Sequence, residues 1–80
     1  MEIVDRRDED IPAWAISYIE YGDSSMLSDS EVAIVDYYMN CMKSLGYRSH
    51  EVTDDTNDFC AHPAFGYPSN TVRVVFFKWR

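Results

Sequence analysis

The stretch Ser28–Gly46, SDSEVAIVDYYMNCMKSLG, constrains this chain most, because a helix's start, faces and stop are all written into it. Ser28 stands three residues before Glu31, the capping-box spacing. The hydroxyl accepts the N–H of Glu31, and the carboxylate reaches back to the N–H of Ser28. Asp29 and Glu31 place negative charge at the positive end of the helix dipole. Lys43 falls in the last turn, and Gly46 supplies a left-handed stop. The spacing predicts a helix over 29–45. At about 100° per residue, Ile34, Val35, Tyr38, Cys41, Met42 and Leu45 gather on one side, with Asp36, Asn40, Lys43 and Ser44 opposite. Val32, Tyr37 and Met39 border the apolar side and widen it, so more than one neighbour is expected to cover it. That favours a core helix over a Met- and Tyr-lined groove for a partner.

Upstream, Ile3 and Val4 are an isolated apolar pair, and Met1–Arg7 reads as a frayed end rather than an edge strand. Asp10 as N-cap and Pro12 in the first turn open a helix over 11–21. Trp14, Tyr18 and Tyr21 share one face of it, extended by Ala15 and Ile19, and Gly22 is its stop. Asp23-Ser24-Ser25 is turn material, and the short linker makes the two helices neighbours. After Gly46 the period changes. Residues 47–54 read as a strand with no strongly apolar face, which suits an edge. Residues 55–70 read as a loop, with a turn at Asp55–Asp58, a short extended piece at Phe59–His62 and a Pro- and Gly-rich run carrying Phe65 and Tyr67. Residues 71–79, TVRVVFFKW, are the strongest strand signal. Val72, Val74 and Phe76 make one face and Val75, Phe77 and Trp79 the other, so both sides call for cover. The second side is expected to meet Phe65 and Tyr67, or a second copy of the chain in a homodimer through this last strand.

Eighty residues make one domain, 1–80. The hydrophobic fraction of 46% and the aromatic fraction of 15% exclude disorder despite a net charge of −7. The elements add up to an α+β fold, two helices packed on one face of a small two- or three-stranded antiparallel sheet. No run of about 18 apolar residues offers a membrane span. The acidic start MEIVDRRDED is not a signal peptide, so a cytoplasmic location is expected, with Cys41 and Cys60 as reduced thiols. The charge is lopsided: residues 1–36 hold ten acids and two bases, and residues 37–80 hold four acids and five bases. This disfavours direct nucleic-acid binding, which needs basic patches, and leaves a basic protein as a partner.

Asp58-x-Cys60-x-His62 is the one cluster with the look of a site. A thiolate beside an imidazole is a nucleophile pair, but nothing completes a triad or an oxyanion site. A small thiol enzyme using Cys60 and His62 is therefore the weaker alternative. Cys41, Cys60, His50 and His62 lack zinc-ligand spacing. Asp54, Asp55 and Asp58 lack the Gly and Glu of a calcium loop. No metal and no cofactor is expected. Trp14, Tyr18 and Tyr21 as a base-stacking platform are opposed by their acidic surroundings.

Pro12-Ala13-Trp14-Ala15, Tyr18, Glu20, Gly22-Asp23, Ser25, Leu27, Ser28 and Glu31 precede Pro63-Ala64-Phe65-Gly66 and the closing Val-rich strand. Together they resemble the pattern of a family of small conserved proteins of unknown function carried by phages, plasmids and the genomes of gut-type bacteria. The match spans residues 11–77 and is most specific over Trp14–Glu31, with Met26 standing where the pattern has Gly. The resemblance implies a small cytoplasmic accessory protein of a mobile element and brings no activity with it. The functional expectation is a non-enzymatic protein-interaction module. Its candidate contact residues are the acids Asp8, Glu9, Asp10, Glu20, Asp23, Asp29 and Asp36 and the aromatics Phe65, Phe77 and Trp79. A sharper variant is a DNA mimic, in which those carboxylates enter the basic groove of a host DNA-binding protein.

Overall fold

In the computed structural model, which describes residues 1–66 and 68–80, the chain runs β1 (Ile3–Pro12), α1 (Ala13–Tyr21), α2 (Asp29–Ser44), β2 (Tyr47–Cys60) and β3 (Ser69–Trp79). Two helices and one three-stranded antiparallel sheet make an α+β fold with strand order β1-β3-β2. The strand that is apolar on both sides is thus the central one, hydrogen-bonded along both edges. On one side of β3, Val72 lies beside Ile11, Val74 between Glu9 and Val52, and Phe76 between Arg7 and His50. On the other, Val75 lies between Asp8 and Glu51, and Phe77 between Arg6 and Ser49.

The core joins Ile11, Ala15, Val35, Tyr38, Met42, Tyr47 and Phe65 to Val74 and Phe76. Tyr38 is its hub, with ring centroids 5.0 Å from Phe65 and 6.0 Å from Phe76. Both halves of the α2 capping box form: Ser28 Oγ accepts from the Glu31 N–H at 3.2 Å, and the Ser28 N–H donates to Glu31 Oε1 at 2.8 Å. Gly22 closes α1 at φ 72°, in the left-handed region that side chains other than glycine's resist.

Five expectations are corrected. Met1–Arg7 is not frayed, because Ile3–Pro12 pairs along β3. Asp10 is consequently a strand residue and no N-cap. Pro12 holds that position with no side-chain cap, and α1 starts at Ala13. The turn at Asp55–Asp58 is absorbed into β2, which runs to Cys60 through register slips between Val52 and Thr56 and between Asn57 and Cys60. These bulges let a poorly patterned, acidic strand follow β3 without flat pairing. The buried stripe of α2 is narrower than the apolar one: Val35, Tyr38 and Met42 are buried, while Ile34, Tyr37 and Leu45 are exposed. Phe65, finally, does not lie over the outer side of β3. It is 5% exposed and packs on Trp14 and Tyr38. Tyr67, expected beside it, lies outside the described residues. Among the described residues no helix is long and apolar enough to cross a membrane.

Candidate functional site

Polar side chains converge where β1, the middle of α2 and the loop after β2 meet. Register sets Glu9 beside Val74, a core position, so its carboxylate has to find partners there. Glu9 Oε1 accepts from the Tyr38 hydroxyl at 3.1 Å and from His62 Nε2 at 3.3 Å, and Arg7 Nε lies 3.5 Å away. The backbone N–H of Ala64 donates to His62 Nδ1 at 3.1 Å. The ring hydrogen therefore sits on Nε2, where Glu9 receives it. The imidazole stands edge-on to Tyr38 and Phe65, at 5.1 and 5.3 Å. Burial, then the Glu9 charge, push the Tyr38 phenol well above its ordinary range. With both ring nitrogens engaged, His62 has no lone pair to offer a substrate. The cluster buttresses the Ala61–Gly66 loop against the core. Cys60 takes no part in it: its Sγ points at the Asp58 carbonyl at 3.9 Å, and both cysteines are free thiols. The hydrogen-bond partner of the Cys60 thiol is thus the Asp58 carbonyl and not the His62 ring. Among the described residues no three histidines, cysteines or acids group to hold a metal ion.

The other side of β3 carries Arg73, Val75, Phe77 and Trp79. Arg73 faces Asp55 at 3.6 Å and Asp10 at 4.0 Å. Val75 is buried. Phe77 and Trp79 are half-buried with ring centroids 6.4 Å apart, and the Trp79 indole N–H donates to Ser49 Oγ at 2.8 Å. Beyond Trp79 this end of the sheet opens into a depression of about 360 Å³ lined by Met1, Arg48, Ser49, Trp79 and Arg80.

The sequence profile of a domain of unknown function, DUF6926, matches residues 8–77. The chain belongs to this family. No curated protein and no solved structure matches it. The DUF6926 span takes in Glu9, Tyr38, His62, Phe65 and Phe77, and it ends before Trp79 and Arg80.

Most of the acids proposed from the sequence as contact residues of the DUF6926 domain are already engaged. Asp8 holds Arg6 at 3.0 Å, Glu9 sits in the His62 cluster, and Asp10 faces Arg73 and accepts from Asn57 at 3.4 Å. Asp23 accepts the Ser25 N–H at 3.0 Å, and Asp36 accepts the Tyr18 hydroxyl at 2.7 Å. Glu20 and Asp29 are exposed without a side-chain partner among the described residues. Phe65 is withdrawn into the core, so of the three aromatics only Phe77 and Trp79 come together at a surface. Sequence reasoning missed the Glu9–Tyr38–His62 cluster and the Arg48–Trp79–Arg80 depression. No spacing signals either, because each is made by elements distant in sequence.

Proposed function

We propose that this DUF6926 domain is a non-enzymatic protein-interaction module that meets its partner through the outer side of the sheet, around Phe77 and Trp79. The observation that carries this reading is the split of β3. Val74 and Phe76 belong to the core with Ala15, Val35, Tyr38 and Met42, while Phe77 and Trp79 alternate away from it. Both helices then lie against the Val74 side, and the opposite side is the open layer of a two-layer fold. Phe77 and Trp79 are large aromatics with few rotamers, the kind of residue that anchors interfaces. A DNA-mimic surface is disfavoured, since a carboxylate already held by arginine or tyrosine must surrender that bond to enter a basic groove. The engaged nitrogens of His62 weigh against the thiol-enzyme reading. An accessory role in a phage or plasmid rests on the resemblance of the Trp14–Glu31 and Pro63–Gly66 blocks.

The test is capture of a partner from a lysate of the source cells at rising salt, with wild type and the Phe77→Ser, Trp79→Ser double variant. The wild type is expected to retain its partner at high salt, and the double variant to lose it while keeping its circular dichroism. A partner released by moderate salt and still held by the variant contradicts the reading and returns the contact to the acids. If the partner is a second copy of the chain, sedimentation shows a wild-type dimer and a monomeric variant.

A further inference from the structure

Arginines in this acidic chain are normally engaged: Arg6, Arg7 and Arg73 each face a carboxylate within 4.0 Å. Arg48 and Arg80 have no carboxylate partner among the described residues, although the chain has fourteen acids and a net charge of −7. Both line the depression at the end of the sheet, together with Ser49 and Trp79. Arg80 is held in place, because its N–H donates to the Glu2 carbonyl at 2.8 Å and its carbonyl accepts from the Glu2 N–H at 3.3 Å. Ser49 Oγ already accepts from the Trp79 indole, so its own hydrogen is free to donate. Lys43 and Arg48 line a second hollow across the start of β2, which brings a further cation to this end.

We propose that the depression takes a carboxylate side chain of the partner, presented beside an aromatic or aliphatic residue, so that the ligand is a short acidic–apolar peptide segment. This rests on the interaction reading above and gives the partner its chemistry. The Arg48 and Arg80 guanidiniums engage the carboxylate, the geometry for which arginine is best suited. The Trp79 indole packs against the neighbouring apolar side chain. Net charge alone would repel an acidic ligand. Screening acts over about 8 Å at physiological salt, however, while the molecule is 36 Å long, so the acids of its far end weigh little against the Arg48 and Arg80 guanidiniums here. A long polyanion would run into the acidic remainder, and a short segment does not.

The probe is acetyl-Glu-Phe-Glu-Phe-amide, titrated into the full isotope-labelled chain and read at its two indole N–H resonances. The Trp79 resonance is expected to shift to saturation, while that of Trp14, packed against Phe65 in the core, stays put. The Gln-for-Glu peptide should bind about tenfold more weakly or worse, and so should the Arg48→Ala, Arg80→Ala variant with the original peptide. An unmoved Trp14 resonance and unchanged circular dichroism show that the variant is folded. Equal binding of the two peptides, unchanged affinity of the variant, or no Trp79 shift at millimolar peptide overturns the proposal. Phenylacetate is the free-acid arm, and saturation at the same concentrations as the peptide overturns the assignment to a peptide segment. If these arms fail while Phe77→Ser, Trp79→Ser still abolishes partner capture, only the acidic ligand falls. If capture is also unaffected, the interaction surface falls with it.

Discussion

Asp5 accepts the Tyr47 hydroxyl at 2.7 Å and the Arg6 N–H at 2.9 Å. These bonds, the Tyr47 one foremost, hold its carboxyl below the usual carboxylate range. The Ser25 N–H does the same for Asp23. A folded pKa below the unfolded one gives stability that is complete above the unfolded value of about 4 and is lost as pH falls through the folded value. The tyrosines act at the other end. Burial raises Tyr38, the Asp5 bond raises Tyr47 and the Asp36 bond raises Tyr18. Their contribution is complete below about pH 10 and is lost as pH rises further. Urea midpoints measured from pH 2 to 11 should therefore form a plateau with two falling limbs. Asp5→Asn should lower the plateau and flatten the acid limb, and a variant that tracks wild type across the acid limb contradicts the Tyr47–Asp5 bond. At this scale the sequence showed which residues are ionisable and hid their partners. Glu9 lies 29 residues from Tyr38 and 53 from His62, and no local spacing links such positions.

The elements differ in how far their signals are local. α2 was legible because its capping box, its basic last turn and its stop at Gly46 all lie within the helix or next to it. Its buried stripe was overstated. Periodicity tells which side chains are apolar but not how many neighbours a small chain can provide, so Ile34, Tyr37 and Leu45 are left at the surface. β1 was illegible by hydropathy because most of it is charged. It is a strand by virtue of β3, and the available signal was opposite charge two residues apart, Arg6 with Asp8 and Arg7 with Glu9. β2 extends past its expected end through a bulge at whose exit Phe59 adopts φ 55° while 80% exposed. A non-glycine residue there is strained, and so exposed a ring has little packing to lose. Phe59→Gly is expected to raise stability by about 0.5–1 kcal/mol, a few degrees in Tm. A lower melting temperature would mean that the ring makes a contact worth more than the strain.

For the whole molecule, the two sides of one strand should differ in energetic weight. Phe76 is enclosed by Tyr38 and Tyr47, whereas Phe77 looks away from that core. Phe76→Ala is expected to cost about 3–5 kcal/mol, enough to unfold much of a domain whose total stability is on the order of 5–15 kcal/mol. Phe77→Ala should cost less than half as much. Equal costs in chemical denaturation would mean that the outer side is as closed as the inner. The two-sided apolar pattern of β3 was readable from residues 71–79, but its cause was not. A central strand, a dimer and an exposed patch all write that pattern, and only the pairing of β1 shows that the strand is central. The most direct measurement is photo-crosslinking in source-cell lysate with a benzophenone side chain placed either at position 77, on the outer side of the sheet, or at position 37, on the exposed face of α2. Crosslinks to one partner from position 77 and none from position 37 are expected. Crosslinks from position 37 alone would contradict the outer sheet as the contact surface.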